Sequence, residues 1–149
     1  MLKIITLAVA LLLPGAAFAE ERSLSVQGGQ VSTPVGLTVR VKSITVSEDA
    51  TTVHLLASFD SHRTNSVNMN DAENAYLAWG EGEAQRLSLR QVRDNKWLRI
   101  ANGQTMEGAL VFPGVIPPDA ARLTLVFNPG RSDHDTNAPG VTVPLELKP

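Results

Sequence analysis

Residues 128–140 concentrate side chains that could bind a ligand. The segment reads NPGRSDHDTNAPG, with Asp133 and Asp135 on either side of His134. Calcium takes about six to eight oxygen ligands, and zinc about three or four, usually with more histidine or cysteine than this segment has. The same residue types are common in loops for backbone reasons. We therefore expect an ordinary loop without a bound metal or cofactor, with a metal site on these three residues and a partner-contacting loop as the alternatives.

Ser132, Asp133 and His134 also carry the side-chain types of a hydrolase triad. Triad members normally come from distant segments, because each side chain must be held by the next. Three consecutive residues of one loop cannot easily aim at one another and leave room for a substrate. The Gly-x-Ser-x-Gly nucleophile elbow does not occur in the sequence. We expect no catalytic residues and no enzyme.

Copper is the sharper metal alternative. The side chains suited to it are His54, His62, His134, Met69 and Met106. Their types permit copper binding, but no spacing among them selects a site. A small periplasmic calcium- or copper-binding protein is therefore the alternative function.

A second candidate surface is a basic stretch around Trp97, opposed only by Asp94. Its basic residues are Arg86, Arg90, Arg93, Lys96 and Arg99. The ordinary interpretation is a solvated hairpin face, because charges on strands deter edge pairing. The functional interpretation is recognition of an anionic glycan, a lipid head group or an acidic partner, with Arg90 supplying charge and Trp97 a stacking platform.

The first nineteen residues have the pattern of a signal peptide. Lys3 precedes an apolar run over residues 4–13, and Ala17-Phe18-Ala19 supplies a small-x-small cleavage site. The run is shorter than the roughly 20 residues needed to span a bilayer, so we expect no stable membrane insertion after cleavage. We expect a signal peptide at residues 1–19, a single domain at residues 20–149, and a periplasmic or secreted protein.

Composition narrows the class further. The chain of 149 residues has no cysteine, so a hydrophobic core must stabilise it without disulfides. Its net charge of −2 argues against a nucleic-acid partner.

Alternation of apolar and polar residues dominates the remaining sequence. Residues 37–41 and 53–59 alternate as half-buried strands do, and together they predict a hairpin. The apolar pattern slips by one residue before Ile44, which predicts a β-bulge near Lys42-Ser43. Similar runs recur to the end of the chain. We expect an all-β fold, an immunoglobulin-like antiparallel β-sandwich of seven to eight strands.

Turn chemistry separates these runs. Residues 60–71 are polar and predict a loop, followed by a short helix or an irregular turn up to Ala78. Asn102-Gly103 predicts a hairpin turn.

Residues 107–128, EGALVFPGVIPPDAARLTLVFN, resemble a recurring pattern in exported bacterial immunoglobulin-like domains of unknown function. In that pattern a glycine precedes an apolar strand ending in Phe, and a proline-bearing link leads to a Leu-x-Leu-x-Phe strand. The matching residues are Gly108, Leu110-Val111-Phe112, Pro117-Pro118 and residues 123–127. The likeness could extend over most of residues 35–147. It implies a fold and an exported location, and it brings no functional residues with it.

Together these features predict a non-catalytic exported binding or accessory module of the bacterial cell envelope. The expected partner is an envelope protein or an anionic glycan. Contact is expected through loops 60–74 and 128–140, or through the basic stretch around Trp97, since binding residues concentrate on loops.

Overall fold

The computed structural model describes residues 21–148, in which strands form nearly all of the regular structure. The all-β class is therefore confirmed. The predicted signal peptide at residues 1–19 lies outside the described residues. Among residues 21–148, no helix combines the length and hydrophobicity that crossing a lipid bilayer requires.

Eleven strands and one short 3-10 helix, Glu81–Glu83, follow one another within residues 21–148. The strands are β1 (Arg22–Gly28), β2 (Gln30–Ser32), β3 (Leu37–Val46), β4 (Ala50–Phe59), β5 (Ser66–Asn68), β6 (Tyr76–Trp79), β7 (Gln85–Ser88), β8 (Arg99–Ala101), β9 (Thr105–Pro113), β10 (Arg122–Phe127) and β11 (Val141–Lys148). The predicted count of seven to eight strands is too low. Strands such as β2, β5 and β6 have only three or four residues, too few for alternation to reveal them.

Nine strands of the described chain form one antiparallel sheet. Their order is β7-β6-β10-β11-β1-β3-β4-β9, and β2 pairs with the first half of β3. The other two strands, β5 and β8, pair with each other. The antiparallel arrangement is confirmed. An immunoglobulin-like sandwich stays a prediction, because eight of the nine strands follow one continuous hydrogen-bonded path and β2 branches from it at β3.

The β3–β4 hairpin and its bulge are both confirmed. Val41 lies opposite Leu55 and Ser43 lies opposite His54, so Lys42 is the extra residue. A bulge of this kind moves the following side chains to the other face of the strand. Ile44 is therefore fully buried, as the core requires.

The sheet curves so strongly that its two ends approach each other and form an almost closed cylinder. After β7, the backbone N–H of Arg90 donates to the carbonyl of Val111 in β9, at 2.8 Å. Nearby, a Cβ on Gly114 would lie 2.5 Å from Leu87, so the two ends are in contact there. The curved sheet surrounds one core, whose largest side chains are Phe59, Phe112 and Phe127.

Two of the predicted connections, residues 71–78 and Asn102-Gly103, can be compared with the structure. Over residues 71–78 the structure has the irregular turn and then β6, which pairs with β10, rather than a helix. Asn102-Gly103 forms a turn between β8 and β9. The predicted hairpin is wrong, however, because β8 pairs with β5 whereas β9 pairs with β4.

Candidate functional site

Asn128, the first residue after β10, joins two of the predicted contact loops. Its side chain is buried, and its φ of 47° lies in the left-handed region that asparagine tolerates better than most residues. Its Nδ2 donates to the carbonyls of Asn68 and Pro139, both at 2.9 Å. Its Oδ1 accepts from the backbone N–H of Asp71 at 3.1 Å. One side chain thus fixes loop 128–140 against loop 60–74.

Loop 128–140 also holds itself together. The carbonyl of Ser132 accepts from the backbone N–H groups of Asp135 at 3.1 Å and Gly140 at 3.0 Å. The carboxylate Oδ1 of Asp135 accepts from the N–H groups of Asn137 and Ala138, both at 2.8 Å. The loop therefore has one defined backbone conformation.

The hydrogen bonds that the Asp135 carboxylate accepts within the loop affect its pKa. The N–H groups of Ala138 and Asn137, and secondarily the charge of Arg131, lower the pKa of this carboxyl below its ordinary value. Asp133 and His134 instead point into solvent, with His134 Nε2 3.8 Å from Asp133 Oδ1. Across residues 21–148, no three or more His, Cys, Asp or Glu residues lie close enough to hold one metal ion.

The hydrolase and copper arrangements do not assemble from the residues weighed for them. Ser132 Oγ accepts from the backbone N–H of His134 at 3.1 Å, while the His134 ring approaches Asp133. Met69 is fully buried in the core, and His54 Nε2 lies 3.2 Å from Thr45 Oγ1 on the β3–β4 hairpin. The structure therefore scatters the candidate copper ligands over separate elements.

Loop 60–74 lies between loop 128–140 and the segment that carries Trp97. On one side, the N–H of Asn68 donates to the carbonyl of Asn137 at 2.8 Å. On the other, the N–H of Asn70 donates to the carbonyl of Trp97 at 2.9 Å. The buried Asn70 side chain reinforces this side, because its Nδ2 donates to the carbonyl of Lys96 at 3.0 Å. Residues 68–74, 95–98 and 131–137 thus form one surface, the loop surface.

The loop surface carries an exposed aromatic ring and charges of both signs. Trp97 is 44% exposed, and Lys96 Nζ lies 4.6 Å from the centre of its ring. Arg131 lies 3.4 Å from an Asp71 carboxylate oxygen and 3.9 Å from one of Asp135. The loop surface therefore combines an exposed aromatic ring with paired charges.

A groove of about 510 Å³ runs beside loop 128–140, and Arg131 and Asp133 are among the residues that line it. On its opposite wall, the Tyr76 hydroxyl donates to a carboxylate oxygen of Glu83 at 3.0 Å. Burial, and then this bond to Glu83, raises the pKa of Tyr76. The loop surface therefore continues into a polar groove.

The predicted basic stretch is divided among three places. Arg86 lies over the ring of Tyr76, 4.2 Å from its centre, and Lys96 lies over Trp97. Arg90 and Arg93 line a separate groove of about 520 Å³ beside β9. Trp97 does not line that groove.

Sequence reasoning named Asp133, His134, Asp135, Arg90 and Trp97 and missed Asn70 and Asn128. The only local signal for Asn128 is its place directly after a strand and before Pro129-Gly130, where asparagine often adopts a positive φ.

No protein-family model matches the sequence, and no curated protein is significantly similar to it. A solved structure of a functionally unknown protein from Listeria monocytogenes EGD-e is similar, with a TM-score of 0.53 and 11% sequence identity. The similarity covers 87% of this chain and 89% of that chain. At this identity it concerns the fold alone. The chain thus shares an all-β fold with another protein of unknown function.

Replacing Asn128 by alanine should lower the free energy of unfolding by roughly 2–4 kcal/mol. Three backbone groups lose their partner, that of Pro139 in a buried bond and those of Asn68 and Asp71 in part-buried ones, and an unsatisfied buried group costs about 1–3 kcal/mol. Urea unfolding measures the loss. Asn137→Ala is the matched control, because Asn137 is exposed and should change stability by less than about 0.5 kcal/mol. Equal losses in the two variants would contradict the role of Asn128.

Asp135 should make the protein less stable in acid. Because its folded pKa is lowered, its contribution is complete above the ordinary aspartate pKa of about 3.9 and is lost as the pH falls through the folded value. The Asp135→Asn variant cannot titrate at this position. The stability difference between parent and variant, measured by urea unfolding, should therefore shrink between pH 6 and pH 3. A difference that stays constant would exclude this linkage.

Proposed function

We propose that this protein is a non-catalytic binding module of the bacterial cell envelope. Residues 1–19 direct its export and are then removed. The loop surface contacts a partner protein there. The observation that carries the proposal is that loop 128–140 and the Trp97 segment, separate candidates in the sequence, are both hydrogen-bonded to residues 68–71 of loop 60–74. We also propose that the domain is related to the exported immunoglobulin-like domains that residues 107–128 resemble.

A surface held in this way is suited to binding. Ordering loops on association costs free energy, so loops already fixed by hydrogen bonds retain more of the interaction energy. Tryptophan and arginine are frequent among the residues that dominate protein interfaces. Trp97 and Arg131 supply both types on the loop surface, and Trp97 is among the largest exposed apolar side chains of the described chain.

Charge favours a protein over an anionic glycan as the partner. Arg131 is already balanced by the carboxylates of Asp71 and Asp135, and the exposed Asp133 lies nearby. A polyanion would meet these three carboxylates at close range. A protein surface with both signs of charge can complement them.

The test uses the purified protein and a detergent-solubilised envelope fraction of the bacterium that makes it. A captured protein is identified, purified and titrated against the parent and the Trp97→Ala variant. Loss of a central aromatic contact should weaken binding by roughly 30-fold, corresponding to about 2 kcal/mol. Val115→Ala is the matched control, because Val115 is also 44% exposed but lies outside the loop surface.

Equal affinities of the parent and Trp97→Ala would contradict the proposal, as would equal weakening by Val115→Ala. A soluble anionic polysaccharide that displaces the captured protein at low salt but not at high salt would indicate that the partner is a glycan rather than a protein.

A further inference from the structure

The outer edge of β9 is largely unpaired. On its inner side β9 pairs with β4 along its whole length, from Ala50↔Pro113 to Ser58↔Thr105. On its outer side, the described chain supplies one backbone hydrogen bond, from the N–H of Arg90 to the carbonyl of Val111. The curved sheet therefore stops short of closing along most of β9.

The direction of that one bond shows which groups remain available. The Val111 carbonyl points outward, and residues two apart on a strand present their backbone groups to the same side. Ala109 and Glu107 therefore also direct their N–H and C=O groups outward. Within residues 21–148 these groups have no backbone partner on that side.

A groove lies where the missing strand would be. Residues 90–95 run beside β9, joined to it by the Arg90–Val111 bond at one end and by Asn95 Nδ2, 3.9 Å from Met106 Sδ, at the other. Between these contacts lies the groove of about 520 Å³, with Arg90 and Arg93 on one wall and residues 109–111 on the other.

The middle of this edge lacks the usual protection against strand addition. Natural edge strands are commonly protected by lysine, proline, bulges or inward-pointing charges. Here Gly108 and Ala109 are exposed, and a Cβ on Gly108 would meet nothing within 4 Å. The neighbouring charge of Glu107 is taken up by its ion pair with Lys42. A glycine in a strand is typical of a place where another backbone approaches closely.

We propose that an extended, acidic segment of a partner protein adds as a strand to the outer edge of β9 at residues 107–110. Its backbone bonds to the outward groups of Glu107 and Ala109, and its carboxylates lie against Arg90 and Arg93. Neither arginine forms a salt bridge within the described chain, so both charges are available.

A second copy of this chain is a poorer occupant of the same edge. Its own β9 is flanked by Arg90 and Arg93, so edge-to-edge pairing would bring like charges together. Strand addition at β9 uses a surface different from the loop surface, and it stands whether or not the proposed function is correct.

The probe is a fluorescent hexapeptide of alternating glutamate and valine with blocked ends, titrated against the full protein at low salt. The same peptide with lysine in place of glutamate is the charge control. The glutamate peptide should bind at least about 10-fold more tightly. Reversing the charge with Arg90→Glu and Arg93→Glu together should invert this preference. Failure of the glutamate peptide to bind, or equal binding of both peptides, would overturn the proposal.

Backbone pairing is tested separately from charge. Ala109→Pro removes the outward N–H while leaving the β4 side of β9 bonded, and should weaken the glutamate peptide about 10-fold or more. Ala109→Val keeps that N–H and should change affinity by less than about 3-fold. If Ala109→Pro fails to fold, N-methylation of alternate peptide residues tests the same bonds on the parent protein. In either format, unchanged binding would overturn strand addition.

Discussion

Two buried asparagine amides, of Asn70 and Asn128, are the interactions on which the loop surface depends. Irregular segments leave backbone N–H and C=O groups without strand partners, and such groups are costly when buried. An asparagine side chain carries N–H donors and a carbonyl acceptor, so it can supply the hydrogen bonds that a neighbouring strand would otherwise make. Asn128 does so for loop 128–140 and Asn70 for the Trp97 segment. The loops therefore have the fixed geometry that recognition requires.

The second constraint is the curvature of the sheet. The bulge at Lys42 keeps the long β3–β4 hairpin facing one core while the sheet bends towards closure. The two ends of the sheet meet near Leu87, Val111 and Gly114, and they stay apart beside residues 107–110. The chain thus has two exposed regions of different character. One is a rigid loop surface with mixed charge, and the other is a basic groove beside an open strand edge.

The sequence predicted the parts of the fold that local alternation controls. The β3–β4 hairpin, the bulge at Lys42 and the antiparallel class follow from apolar spacing alone. Short strands such as β5 depend on distant partners, because β5 lies between β8 and loop 128–140. The neighbours of the basic residues also depend on tertiary structure: Arg86 lies over Tyr76, Lys96 lies over Trp97, and Arg90 lines the groove beside β9. Asn128 has the residue type of an ordinary loop, and only its burial distinguishes it.

Amide hydrogen exchange by NMR tests the central claim, that the loops form one preorganised surface, most directly. The amides of Asn68 and Asp71 donate to two different residues of loop 128–140, and the amide of Asn70 donates to the Trp97 segment. If the surface is one cooperative unit, all three should be protected by at least about 100-fold and share one opening free energy of about 2.7 kcal/mol or more. Exchange of Asn68 and Asp71 at the rate of an unstructured peptide, with Asn70 still protected, would contradict the account.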